Sequence, residues 1–134
     1  MILPNDTTVL VANGEKLKLY RNKGAEPHIK LAELPEPKLD SHNSGTGVHH
    51  RSSSANPDAK RLEEDNFAAA IAGYLNEQVV AGHFASLFVI ADPRTLGELR
   101  RHLHANVKAA LVGELAKDLT HHSLQDLEAA LTGH

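Results

Sequence analysis

The sequence predicts a mixed α/β fold, in which helices flank one central sheet. Three observations carry that prediction. Residues 7–34 hold three short segments of alternating or β-branched character, each closed by turn residues. Residues 57–81 carry an apolar stripe at helical spacing. Leu87-Phe88-Val89-Ile90-Ala91 is a short continuous apolar run, the mark of a strand covered on both faces. A chain of 134 residues fits one domain, read here as spanning residues 1–134.

The elements follow in order. Thr7 to Ala12 reads as the first strand. Asn13-Gly14 is a hairpin signal, because both residues tolerate the positive φ of a type I′ turn. Lys16 to Arg21 alternates polar and apolar, with one wet and one buried face, and turns at Asn22-Lys23-Gly24. His28 to Leu34 alternates again, until Pro35 and Pro37 end the pairing. The segment at about 38–56 is polar and rich in Gly and Ser, with little to bury. So long a loop is expected to be mobile, and is either a solvated surface loop or a functional one.

Asn56-Pro57-Asp58 has the chemistry of a helix start: a capping side chain, a proline at the first helical position and an acid facing the dipole. Phe67, Ile71, Leu75 and Val79 form the stripe of that helix, and Gly82 is a plausible C-cap. After the apolar run, Asp92-Pro93 caps a second helix to about His102, with Leu96 and Leu99 inward. Val107 to Ala116 is ambiguous, and is read as partly strand-like around Ala109 to Leu115. Ser123-Leu124-Gln125-Asp126 opens a last helix with a capping-box-like start. The order β-β-β-α-β-α-β-α is that of ribonuclease-H-like topology, a meander followed by parallel crossovers.

Composition excludes several classes. Cysteine is absent, so there is no disulfide framework, thiolate metal site or cysteine nucleophile. A net charge of −3 argues against broad, non-specific nucleic-acid binding, and 4% aromatics with no Trp argues against base-stacking platforms. The first apolar run, Val9 to Ala12, is far too short to span a membrane, and no secretory leader is readable. The expected location is therefore the cytoplasm.

Ala91-Asp92-Pro93-Arg94-Thr95-Leu96-Gly97-Glu98-Leu99-Arg100 resembles the A-P-P-x-x-L-G-x-L-R stretch of the bacterial host-attachment proteins, with Asp92 where that family usually has Pro. Lys117-Asp118-Leu119-Thr120 is similar to the same family's K-D-L-T. The family is also similar to the central domain of archaeal and eukaryotic class-1 peptide-release factors. The resemblance implies two different roles, attachment of a bacterium to host cells and a translation-linked one. No cofactor is expected.

In the release factors a glycine-rich loop between the third strand and the first helix carries a Gly-Gly-Gln tip into the peptidyl-transferase centre. The same slot here holds Gly45, Gly47, His49, His50 and Arg51. The glycines would permit close approach to RNA, and Arg51 could pair with a phosphate. The glutamine is missing, which counts against peptide release by that route. Arg94 and Arg100 give the second helix a basic side, either a solvated face or a small phosphate-contacting patch.

A metal-dependent nuclease is the weaker reading. Asp92 follows the fourth strand, Asp118 the fifth, and Glu63 and Glu64 lie on the first helix, but the first strand offers no carboxylate and only Asp6 precedes it. Asp92 and Asp118 also have plain readings as caps. His49-His50, His102 with His104, and His121-His122 lack the i, i+4 spacing of helical metal ligands. No metal is expected. The reading preferred on sequence is a binding or adaptor module in host attachment rather than an enzyme, with a ribosome- or RNA-associated protein as the alternative.

Overall fold

The computed structural model describes residues 3–25, 28–37, 39 and 57–132. Two strands with no polar face form its centre. β1 (Thr8–Ala12) and β4 (Leu87–Ala91) are buried at every position. They pair in parallel, from Thr8 opposite Leu87 to Ala12 opposite Ala91. β2 (Leu17–Asn22) pairs antiparallel with β1, and β3 (Leu31–Leu34) antiparallel with β2. β5 (Leu111–Ala116) adds in parallel to the other side of β4. The sheet order is β3-β2-β1-β4-β5, so β4 is interior, as its continuous apolar run requires. Order and directions are those of the ribonuclease-H-like arrangement expected from the sequence.

Side-chain alternation sorts the core into two halves. Leu10, Ala12, Leu87, Val89 and Ala91 face the helices α1 (Pro57–Val80), α2 (Pro93–His102) and α3 (Ala105–Ala110), whose Ala68, Ile71, Ala72, Leu75, Leu96, Leu99 and Val107 close that side. Val9, Val11, Phe88 and Ile90 face α4 (Leu124–Thr132) through Leu127 and Leu131. Phe88 and Ile90 are wholly buried, and burial of each contributes about 1.5–3 kcal/mol.

Several local expectations hold at the level of single bonds. Asp92 is the N-cap of α2, and its side chain accepts from the Thr95 N–H at 3.1 Å. Ser123 accepts from the Asp126 N–H at 3.1 Å at the start of α4. Gly82, at φ 82°, ends α1 in a Schellman arrangement: His83 N–H donates to Gln78 O at 2.9 Å and Gly82 N–H to Val79 O at 3.0 Å.

Three expectations need correction. The hairpin after β1 is not a type I′ turn. Among the described residues only Asp6 and Gly82 have positive φ. Instead a four-residue loop is closed by Asn13 N–H donating to Lys16 O, while the Asn13 side chain accepts from the Glu15 and Lys16 N–H groups at 2.8 and 2.7 Å. The third strand starts at Leu31 rather than His28, and the Leu31 N–H donates to the Glu128 carboxylate of α4 at 2.6 Å. The stretch before β5 contains a separate short helix, α3, absent from the predicted order. It exists because the chain breaks at Leu103, which is extended, and buried Asn76 of α1 spans the break. Its Nδ2 donates to His102 O at 3.1 Å and its Oδ1 accepts from the His104 N–H at 2.9 Å.

Candidate functional site

Three parallel strands, β1, β4 and β5, end at the same edge of the sheet. Open α/β sheets bind ligands at that edge, in the crevice beyond the carboxyl ends of the strands. The register sets Ala12 beside Ala91 and Ala91 beside Ala116, so the next residues out are Asn13, Asp92 and the Lys117-Asp118 pair. Asn13, Asp92 and Asp118 line a cleft of about 510 Å³, together with Gly14, Glu15, Lys16, Glu64, Thr95 and His121.

Asn13 is the hub. Its Nδ2 donates to Asp118 Oδ2 and to Thr120 Oγ1, both at 3.1 Å, while its Oδ1 closes the hairpin. One amide therefore ties the end of β1 to the loop after β5. Asp118 Oδ1 in turn accepts from the Thr120 N–H at 3.0 Å and the Thr120 hydroxyl at 2.7 Å. Burial works to raise the Asp118 carboxyl. The hydrogen bonds from Thr120 and Asn13, with His121 nearby, outweigh it and hold the group below its ordinary value.

Asp92 gives one oxygen to the α2 cap, and its buried Oδ1 has no hydrogen-bond partner among the described residues. Glu64 reaches the cleft from α1 by lying over Gly14. A Cβ at Gly14 would come within 2.7 Å of Glu64 Cγ, so a larger residue there would make the Glu64 side chain shift from its place over the hairpin.

Asp92 and Asp118, nominated from sequence, thus share one cleft with Glu64. The first-strand position is taken by Asn13. Asp6 lies at the opposite end of β1, where Lys23 sits 3.6 Å away. Among the described residues no group of three His, Cys, Asp or Glu could hold a metal ion. Arg94 faces α1, donating to both Asp65 oxygens at 3.0 and 3.1 Å. Arg100 faces β5, donating to Glu114 Oε1 from Nη2 at 2.6 Å and from Nε at 3.2 Å, and that bond raises its pKa. It borders a separate depression of about 500 Å³ with Leu103, Lys108 and Val112. The two guanidiniums are therefore directed to different elements, each with a carboxylate partner. Gly45, Gly47, His49, His50 and Arg51 lie outside the described residues.

The sequence did not mark Asn13, Lys16, Thr95 and His121 as cleft residues, nor buried Thr120 as the partner of Asn13 and Asp118. Asn13 was legible as a turn former and as the residue that ends the first strand without a carboxylate. The signal available was positional: the first residues beyond three strands that the topology makes parallel.

The family described as bacterial archaeo-eukaryotic release factor family 12 matches residues 6–131. Its description carries the release-factor relationship and not the host-attachment name. The chain is also 30% identical over 74 residues to "Uncharacterized protein RP470" of Rickettsia prowazekii (strain Madrid E), a stretch covering 54% of this chain. The match spans about half of that relative, 49% of its length. Among the described residues, no helix is long and apolar enough to cross a membrane. The chain belongs to bacterial archaeo-eukaryotic release factor family 12.

Proposed function

We propose, from that membership, that the chain is a release-factor-like binding domain that docks on the ribosome through the segment joining β3 to α1, without itself cleaving the peptidyl ester. The observation that carries the reading is the family match over residues 6–131, nearly the whole chain. The segment between Leu34 and Pro57 contains Gly45 and Gly47, which suit close approach to RNA, and Arg51, which suits a phosphate. No glutamine lies between Lys38 and Asn56, so the amide of the release-factor tip has no counterpart there. The strand-end cleft is a poor RNA surface. Glu15, Glu64, Asp92 and Asp118 stand there against Lys16, and that balance repels phosphate.

Sedimentation of cell extract through a sucrose gradient tests the reading. The chain is expected to travel with ribosomes, and the double variant Gly45→Val, Gly47→Val to stay at the top of the gradient with its melting temperature unchanged. A wild-type chain that remains at the top, or a double variant that sediments normally, overturns it. Attachment to host cells rests on the likeness at Leu96–Arg100 and Lys117–Thr120. Recovery of the chain in a surface fraction, and not with ribosomes, would favour that role.

A further inference from the structure

The two ends of α1 are held to the domain by different forces. From Phe67 onward the helix packs as its stripe requires, with Ala68, Ile71, Ala72 and Leu75 at most 1% exposed. Before Phe67 none of residues 59–66 is buried, and Leu62 is 61% exposed. Ionic contacts tie this stretch to α2 and to the β1–β2 hairpin. Arg94 of α2 makes its two bonds to Asp65 and places Nε 4.0 Å from Glu64. Lys60 Nζ lies 4.0 Å from Glu15. Arg94 is itself 47% exposed, and pairs in that setting are weak and screened by salt. An apolar half and an ionic half in one helix should differ in local stability, because opening free energy follows buried apolar contact.

We propose that residues 59–66 of α1 form an arm latched by Arg94, which opens while the rest of the helix stays docked, and that opening widens the strand-end cleft. Glu64 belongs both to the latch and to the cleft wall over Gly14, so the arm cannot leave without withdrawing that wall. The segment from β3 enters the helix at this same arm. The arm depends on contacts within the domain and stands apart from the identity of any partner.

Amide hydrogen exchange of the full chain, read residue by residue by NMR, is the test. In the wild type, amides 63–66 should exchange at least about tenfold faster than amides 71–76. Arg94→Ala should speed 63–66 by a further factor of about 3–10 and leave 71–76 unchanged, and about 0.5 M salt should do the same to the wild type. The charge swap Asp65→Arg with Arg94→Asp should restore wild-type exchange at 63–66. Equal exchange along the whole helix overturns the proposal. So does an Arg94→Ala response shared by both halves, or a swap that fails to restore protection.

Discussion

Asn13 is the residue whose replacement should tell most about the strand-end cleft. Asn13→Ala removes the donor to Asp118 and Thr120 and the acceptor for two hairpin amides. The hairpin amides are exposed and turn to water at little cost. The bond to Thr120 is half-buried and Thr120 itself is wholly buried, so that loss is felt more fully. At about 0.5–1.5 kcal/mol for the one bond that water does not replace, the expected loss is about 1 kcal/mol. For a domain of this size that lowers the melting temperature by about 3–4 °C. Asn13→Asp makes a sharper comparison. It keeps the acceptor oxygen but sets a second carboxylate against Asp118, where the amide nitrogen now lies 3.1 Å away. It should melt below Asn13→Ala at neutral pH and recover as the carboxylates protonate. Melting followed by circular dichroism, with the Asp118 titration followed by NMR, checks both. The reasoning fails if Asn13→Asp is as stable as the wild type at neutral pH, or if the Asp118 titration is unmoved in Asn13→Ala.

Other consequences can be measured in the same way. Asn22 is fully buried, donates to Leu3 O and Pro4 O, and accepts from the Gly24 and Lys30 N–H groups. Asn22→Ala removes these four bonds, with Pro4 O keeping only the Thr7 N–H, and should cost about 3 kcal/mol in urea unfolding. Gly24→Ala places a Cβ 2.6 Å from the backbone oxygen of His28, which cannot swing aside, and should cost about 1–3 kcal/mol by the same assay. The Asp118 carboxyl is held below its ordinary value in the folded chain. Its contribution is therefore complete above the unfolded pKa and lost as pH falls through the folded one. Asp118→Asn should remove that part of the acid sensitivity in melts between about pH 6 and pH 2. An unchanged pH profile would mean that Asp118 is not the responsible group.

The sheet was legible because its strands advertise burial by period: alternation at Leu17–Asn22, and full apolarity at Leu87–Ala91. The caps at Asp92, Ser123 and Gly82 were legible because capping is local chemistry. The features that were not legible depend on side chains that act across the chain. The helix break at Leu103 is spanned by Asn76, 26 and 28 residues away from its two partners. The hairpin geometry is governed by Asn13, whose amide is committed to residues 105 and 107 positions further on. In both cases the residue type announces a turn or a polar helix position, and only the assembled sheet supplies the partner. Asp92 and Asp118 were nominated from their strand ends, but Glu64 reaches the same cleft from a helix, lying over Gly14, 50 positions earlier in the chain.

Contact mapping in cells tests docking through the segment that joins β3 to α1. A photoreactive side chain is placed at Val48, inside the segment that joins β3 to α1, and a control is placed at Val112, which is 41% exposed on the edge strand. Position 48 should capture ribosomal RNA or ribosomal protein covalently, and position 112 neither. Capture from 112 alone, or from neither site while the chain is folded and abundant, would contradict docking through that segment.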